Sequence, residues 1–249
     1  MARRGRRGAG EVAASAYVIA PSSLDYWRNR LAEYDVAYGE ETRFGETVLT
    51  FPDPDGMMIE LVARESDSAP TFWADGPIPE AHALRAFHSV TIWVREAQGT
   101  AAVLSGIFGY EKVGEEGNRI RYQGAGEMAQ FVDLLVRPDL ERGKMGAGTV
   151  HHVAFRTVDD DEQVEYRQLI GEHGLGVTPV KDRQYFHSIY FREPSGTLFE
   201  VATDAPGFAV DEPVESLGRE LKLPAWQESR RDEIEVRLPE IVNREYVEN

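Results

Sequence analysis

The segment Val150–Asp204 decides the fold; it begins VHHVAFRTV and ends REPSGTLFEVATD. An amphipathic helical segment and a second apolar run, HSIYF (187–191), lie between these two predicted strands. Glu200 stands in the middle of the last apolar strand, where an unpaired carboxylate would be costly to desolvate. His152, in the first strand, is a suitable partner, because an imidazole and a carboxylate can bind one divalent metal ion together.

The same unit recurs earlier in the chain. PDGMMIELVA (54–63) aligns with PSGTLFEVAT (194–203) without a gap, so that Glu60 matches Glu200. A more diverged copy lies between these two. Recurrence at a fixed spacing is typical of a fold built from repeated units. Because Glu60 has no histidine at the matching place, we expect it to be half of a buried ion pair.

The proposed metal-binding pair does not recur with the fold unit. On the alignment without a gap, Val12 takes the place of His152 in the first copy. In the middle copy Ser89 takes that place, and Asp133 stands near the position of Glu200. The sequence therefore predicts metal chemistry only in the last copy.

Each copy is predicted to form a β-α-β-β-β module, from its strand patterns, its single amphipathic helix and turn residues such as Pro54-Asp55-Gly56. The predicted fold class is α+β, with three modules and a C-terminal helical tail. The predicted boundaries are 10–65, 85–138 and 149–205 for the modules and 206–249 for the tail, with a tail helix from Pro224.

The composition narrows the classes of function. The 249 residues include 43 acidic and 27 basic ones, and the net charge of −16 argues against a nucleic-acid partner and against an anionic membrane. No apolar run is long enough to predict a transmembrane helix. There are no cysteines, so a metal ion would be held by His, Asp or Glu. The Arg-rich start lacks the features of a targeting signal, and we expect a cytoplasmic protein.

Repeated modules with a histidine in the first strand and a glutamate in the last resemble the vicinal oxygen chelate superfamily. That superfamily includes glyoxalase I, bleomycin-resistance proteins and extradiol ring-cleaving dioxygenases. The closest resemblance is to hydroquinone-type ring-cleaving dioxygenases. It is carried by RRGRRGAGEV, FHSVTIWV, GAGTVHHVAF, RQYFHSIYFREPSGTLFEVATDAPGF and LKLPAWQESRRDEIE, which span nearly all of the chain.

This resemblance implies an Fe(II)-dependent, extradiol-type enzyme that cleaves the ring of a hydroquinone- or catechol-like phenol with dioxygen. Mn, Zn and Ni are the alternative metals. The implied metal ligands are His152 and Glu200. Tyr190 and Arg183 stand at the family's pocket positions, which implies that Tyr190 handles protons and that Arg183 holds a substrate oxygen.

Other roles stay open for the same residues. His151 and His152 are adjacent in a predicted strand and should face opposite sides of it. We prefer His152 as the ligand and expect His151 to pack or to form hydrogen bonds, with its ring pointing away from the site. Glu200 could instead belong to a buried ion pair, Tyr190 could be a packed aromatic residue, and Arg183 could pair with an acidic neighbour.

This sequence departs from the family pattern at its N terminus. In the family, RRGRRGAG follows a complete first module whose opening strand carries another histidine ligand, so the third ligand has no counterpart here. We expect an N-terminally truncated chain and a poor enzyme, with roughly 55–65 further residues encoded upstream. An odd number of modules should leave the last one without a partner sheet, exposing an apolar face and favouring aggregation or a homodimer.

Two other functions also stay open. One is a glyoxalase-like lyase or isomerase that uses Zn or Ni. The other is a metal-free small-molecule-binding protein of the bleomycin-resistance type, which keeps the modules and lacks the metal ligands. Metal analysis of the purified protein separates this second alternative from the enzymes.

Overall fold

The chain forms three successive units of one strand, one helix and three strands in a computed structural model that describes residues 3–65, 72, 76–126 and 128–239. The first unit consists of β1 (Glu11–Ile19), α1 (Leu24–Glu33), β2 (Gly39–Arg43), β3 (Glu46–Pro52) and β4 (Met58–Ala63). The second consists of β5 (Ala86–Val94), α2 (Gln98–Gly106), β6 (Glu111–Glu116), β7 (Arg119–Gln123) and β8 (Phe131–Val136). The third consists of β9 (Val153–Thr157), α3 (Asp160–Glu172), β10 (Lys181–Asp182), β11 (Phe186–Arg192) and β12 (Leu198–Pro206).

Glycines at the predicted turns allow the last two strands of the first and third units to fold back on each other. Gly56, between β3 and β4, has a φ of +89°, and Gly196, between β11 and β12, has a φ of +102°. Residues with a Cβ rarely adopt these conformations. The predicted α+β class with repeated units is confirmed.

The first two units join into one sheet, and the third stands apart from it. The eight-stranded sheet has the order β2-β3-β4-β1-β5-β8-β7-β6, in which β1 and β5 pair antiparallel at the centre. The four-stranded sheet of the third unit has the order β10-β11-β12-β9. The third unit therefore lacks a partner sheet in the described part of the chain.

The apolar face of the third unit is not exposed, contrary to our expectation. It packs against α2 and the strands of the second unit in one shared core, where Phe155, Phe199 and Val201 are buried together with Leu104. Phe108, just after α2, stacks on Phe155 with ring centroids 4.0 Å apart. Burial of apolar area drives this contact, and it leaves the polar face of the third sheet open.

The alignment without a gap misplaces the first strand by two residues. The glutamate of β4 pairs with Ala16 of β1, whereas the glutamate of β12 pairs with Ala154 of β9. His152 lies two positions before Ala154. The residue two positions before Ala16 is Ala14, so Ala14 rather than Val12 occupies the place of His152 in the first unit. The third unit has two more residues than the first between its first and last strands, so an alignment without a gap that fits the last strand misplaces the first one.

The tail contains short helical turns and one helix, α4 (Arg231–Arg237). The prediction of a tail helix is correct, but the predicted start at Pro224 is wrong, since the chain makes only turns before Glu228. Residues 240–249 of the predicted tail lie outside the described part. No helix within the described part is long and apolar enough to cross a membrane.

Candidate active site

Glu200 is the centre of the candidate site. It lies in β12, paired with Tyr190 of β11 on one side and with Ala154 of β9 on the other, and its side chain is 3% exposed. Its Oε2 is 2.6 Å from His152 Nε2, and its Oε1 accepts a hydrogen bond of 2.6 Å from the Tyr190 hydroxyl. Both oxygens of the buried carboxylate therefore have polar partners, which a carboxylate in this position requires.

His152 reaches Glu200 from the segment that leads into β9. Because β9 begins at Val153, the two histidines precede the strand and do not follow its alternation of faces. His151 Nδ1 is 2.9 Å from His152 Nδ1. The expectation that the ring of His151 points away from the site is therefore wrong. The expectation that it forms a hydrogen bond is correct.

The histidine contact can fix the tautomer of His152. Its Nε2 can bind a metal ion only when the ring proton is on Nδ1, and that N–H can then donate to His151 Nδ1. The second unit has the same local contact, since His88 Nδ1 is 3.0 Å from the hydroxyl of Ser89. The contact between these neighbouring residues therefore recurs in the second and third units, and in the third unit both partners are imidazoles.

Arg183 and Tyr190 complete the polar face. The backbone N–H of Arg183 donates to the carbonyl of Phe186 and closes the turn between β10 and β11. This turn places Nη2 of Arg183 3.4 Å from the Tyr190 hydroxyl, with the guanidinium 5.4 Å from the ring centroid. All four residues singled out in the sequence therefore form one contact chain, His152–Glu200–Tyr190–Arg183; their chemical roles stay predictions.

The equivalent acidic residues in the other two units have cationic partners. In the first unit Arg43 Nη1 donates to Glu60 Oε1 at 2.8 Å, so the predicted ion pair is confirmed. In the second unit Asp133 accepts from Arg121 Nε at 2.8 Å and from Arg119 Nη1 at 3.1 Å. Within the described residues, no arginine or lysine forms a salt bridge with the carboxylate of the third unit.

The sequence reasoning missed the charge network around Asp133. Arg121 Nη1 also donates to Glu46 Oε2 at 2.8 Å, and His88 Nε2 is 3.4 Å from the same oxygen. Burial would raise the pKa of Glu46, but the contacts with His88 and Arg121 outweigh it and lower that pKa to about 2. The sequence did contain a signal for this network, because Arg119 and Arg121 are two positions apart in a strand and therefore share a face.

His152 and Glu200 fit two positions of a metal site. Imidazole nitrogen and carboxylate oxygen suit Fe(II), Mn, Zn and Ni, and no arginine or lysine of the described residues pairs with the carboxylate. Among the described residues no group of three His, Asp or Glu side chains could hold a metal ion. The described part of this chain therefore offers two ligands.

A cavity of about 250 Å³ opens beside this site rather than over it. It is lined by His151 and by residues at the start of β1 and in the segments 142–150 and 192–198. His152, Tyr190 and Glu200 are not among its lining residues. The candidate site itself lies on an open sheet face.

Comparisons with known proteins define the class to which this fold and site belong. The sequence profile of the Glyoxalase/Bleomycin resistance protein/Dioxygenase superfamily matches residues 86–201. A crystal structure of a glyoxalase I variant from Zea mays superposes with a TM-score of 0.58 over 81% of this chain and 70% of its own, at 14% identity, which shows the fold alone. Residues 86–201 thus carry a domain of this superfamily.

Nearer relatives define the family within it. The Bacillus subtilis (strain 168) protein named "Putative ring-cleaving dioxygenase MhqO" is 44% identical over 94% of this chain and 74% of its own length. A crystal structure described as a putative dioxygenase from Bacillus subtilis has a TM-score of 0.92 at 42% identity, over 98% of this chain and 78% of its own. The chlorohydroquinone/hydroquinone 1,2-dioxygenase of Sphingobium indicum is 34% identical over 92% of this chain and 73% of its own length. This chain belongs to the family of ring-cleaving dioxygenases that these relatives represent.

Proposed function

We propose that this protein cleaves the ring of a hydroquinone- or catechol-like phenol with dioxygen, using Fe(II) bound by His152 and Glu200. The observation that carries the proposal is the environment of Glu200. Its carboxylate is buried and contacts a histidine and a tyrosine, whereas the equivalent Glu60 and Asp133 are neutralised by arginines. Of the three units, only the last keeps its carboxylate available for a metal ion.

The two oxygens of Glu200 have different roles in this proposal. Oε2 faces His152 Nε2 and would bind the metal ion, while Oε1 is held by the Tyr190 hydroxyl. An Fe(II) ion bound there supplies the redox route between a phenolate and dioxygen, and Mn, Zn and Ni are the alternative metals. His151 keeps Nε2 of His152 free of its proton by accepting the N–H on the other ring nitrogen.

Tyr190 and Arg183 act on the substrate in this proposal. The Tyr190 hydroxyl lies between Glu200 and Arg183, where it can move a proton to or from a substrate hydroxyl. The guanidinium of Arg183 can hold a phenolate oxygen with two parallel N–H groups. Both groups lie on the open polar face, where a planar ring can approach them.

The names of the relatives support the substrate class. The Sphingobium indicum relative is named for cleavage of hydroquinone at its 1,2 bond. In a 1,4-diol that bond joins a hydroxylated carbon to an unhydroxylated neighbour, which is the extradiol pattern. We extend that pattern to this protein as part of the proposal.

A pair of matched variants tests the proposal. Glu200→Gln should abolish Fe(II) binding, because it removes the charged ligand, and should abolish oxygen consumption with hydroquinone. Glu60→Gln, the same change at the equivalent place, should leave Fe(II) binding intact. Binding is measured on the anaerobically reconstituted protein by iron analysis, and turnover with an oxygen electrode.

Three other outcomes would contradict the proposal. Equal iron binding by the Glu200→Gln variant and the unaltered protein would remove Glu200 from the metal site. A protein that binds phenols equally well with and without metal, and consumes no oxygen, would be a binding protein instead. Isomerisation of a thiol adduct without oxygen uptake would favour the glyoxalase-like alternative.

A further inference from the structure

The turn between β10 and β11 carries Arg183 and is strained at the next residue. Gln184 has a φ of +69°, in the left-handed region that residues with a Cβ rarely adopt. Within the turn, the N–H of Gln184 donates to Asp182 Oδ1 at 2.7 Å. A strained backbone conformation persists only where surrounding contacts hold it. Contacts from outside the turn should therefore decide where Arg183 lies.

Asp211, in the segment that follows β12, supplies such contacts. Its Oδ2 accepts a hydrogen bond of 2.9 Å from Gln184 Nε2 and one of 3.1 Å from the hydroxyl of Tyr185. Partial desolvation and the contact with Asp211 raise the pKa of Tyr185, so its hydroxyl keeps the proton that it donates. One carboxylate oxygen thus binds two consecutive residues of the turn.

The segment that carries Asp211 is attached to the turn by two further contacts. The N–H of Gly207 donates to the carbonyl of Tyr185 at 2.9 Å. The ring of Phe208 stacks on that of Tyr185, with centroids 5.2 Å apart and an interplanar angle of 28°. Because its own segment is already held beside the turn, the Asp211 side chain loses little further freedom when it binds there.

We propose that Asp211 is a positioning residue, which holds the β10–β11 turn so that Arg183 faces the Tyr190 hydroxyl. The inference rests on the proposed function, because the position of Arg183 matters for the reaction only if Arg183 binds a substrate oxygen. Arg183 directly precedes the two residues that Asp211 contacts, and its Nη2 ends 3.4 Å from the Tyr190 hydroxyl. Asp211 therefore acts on the substrate through the turn and Arg183.

This arrangement leaves the guanidinium of Arg183 available. Within the part of the chain that the structure describes, no carboxylate pairs with it, and its side-chain contacts go to Tyr190. A carboxylate bound directly to Arg183 would occupy the planar fork that a phenolate oxygen needs. Asp211 avoids that competition, because it fixes the turn by the residues that follow Arg183.

Hydrogen–deuterium exchange tests the structural half of the inference without turnover. Asp211→Ala should speed exchange in the peptide that contains residues 181–186, because the turn loses both contacts. Asp211→Asn should restore most of the protection, since its amide carbonyl can still accept hydrogen bonds. Glu215→Ala is the matched control, because it removes an exposed acid of the same tail. Its exchange should equal that of the unaltered protein.

Oxygen uptake by the Fe(II)-loaded protein tests the functional half. Asp211→Ala should raise the KM for hydroquinone about 2–10-fold, the usual net effect of one hydrogen bond, and should change kcat less. In a protein that already carries Arg183→Ala, the same substitution should leave KM unchanged, because the group that Asp211 positions is absent.

The two measurements separate the inference from the proposed function. Unchanged exchange in Asp211→Ala would overturn the inference, whatever the kinetics. A rise in KM of the same size with and without Arg183 would also overturn it, because Asp211 would then act by another route. An unaltered protein that consumes no oxygen with hydroquinone would overturn the proposed function, while faster exchange in Asp211→Ala would still establish that Asp211 holds the turn.

Discussion

Tyr190 and Thr50 occupy equivalent places, each opposite the glutamate of its unit. Only the tyrosine can share an acidic proton with that carboxylate, because a phenol ionises far more readily than an aliphatic hydroxyl. In the first unit the glutamate is bound to Arg43 instead. At the scale of residues, the exchange of an arginine partner for a tyrosine and a histidine separates a structural carboxylate from a candidate catalytic one.

Replacing Tyr190 by phenylalanine should lower turnover about 10²–10⁴-fold, the usual contribution of a general acid–base group, and should leave iron content nearly unchanged. Arg183→Lys should mainly raise KM, because lysine lacks the planar fork. Steady-state oxygen uptake and iron analysis measure both effects. Unchanged turnover of Tyr190→Phe would assign this side chain to packing.

The elements of the eight-stranded sheet bury charges in complementary pairs. β8 contributes Asp133, 1% exposed, and β7 contributes Arg119 and Arg121, 10% and 7% exposed. Buried charges of this kind depend on their partners, since a cation left alone in the interior loses its solvation without compensation. Ion pairs therefore stabilise the polar face of the eight-stranded sheet. They lie at the positions that correspond to the candidate site in the third unit.

Asp133→Asn should destabilise the protein by about 3–5 kcal/mol, because it removes the carboxylate that two buried guanidinium groups share and leaves Arg121 with Glu46 alone. Asp139→Asn is the matched control, since Asp139 forms an exposed pair with Arg137, and exposed ion pairs contribute little to stability. Urea unfolding followed by fluorescence compares the two. Similar midpoints for both variants would contradict a structural role for the buried network.

Glu46 should make the stability of this sheet sensitive to acid. The contacts with His88 and Arg121 lower the pKa of Glu46 from 4.5 to about 2 in the folded state. A carboxyl whose pKa is lowered on folding stabilises the protein above its unfolded pKa, and this contribution is lost as the pH falls from about 4.5 towards 2. The difference in unfolding free energy between the unaltered protein and Glu46→Gln should therefore shrink over that range; a difference independent of pH would contradict it.

At the scale of the whole molecule, the second and third units are packed together. They share a hydrophobic core, and Thr100 of α2 donates a buried hydrogen bond of 2.6 Å to Glu193 beside the β11–β12 turn. The first unit meets the same turn, where a Cβ on Gly10 would come within 2.3 Å of the carbonyl oxygen of Ser195. These contacts hold the third unit by its apolar face and its turn.

Phe108→Ala should lower the unfolding free energy by about 3 kcal/mol, since it removes a half-buried ring from the shared core. Because that core belongs to both units, we expect one unfolding transition at a lower temperature rather than a separate early transition of the third unit. Phe87→Ala, which removes a ring that is 53% exposed, is the control and should cost less. Calorimetry distinguishes one transition from two, and two would show that the units unfold independently.

The sequence by itself determined the repeated unit, because strand alternation, one amphipathic helix and turn glycines are local patterns. It also placed His152, Glu200, Tyr190 and Arg183 correctly as neighbours, because the repeat and the family resemblance assign them to adjacent strands of one sheet. The ion pair of Glu60 followed from the lack of a histidine near it.

Only the tertiary structure decided how the units meet. The pairing of β1 with β5, the shared core of the second and third units and the charge network around Asp133 join residues that are far apart in sequence, and no local pattern specifies them. The two-residue shift that replaces Val12 by Ala14 depends on a difference in length between the units, and the contact between His151 and His152 depends on where β9 begins. Backbone pairing settles both, because hydrogen bonds between strands fix which side chains share a face.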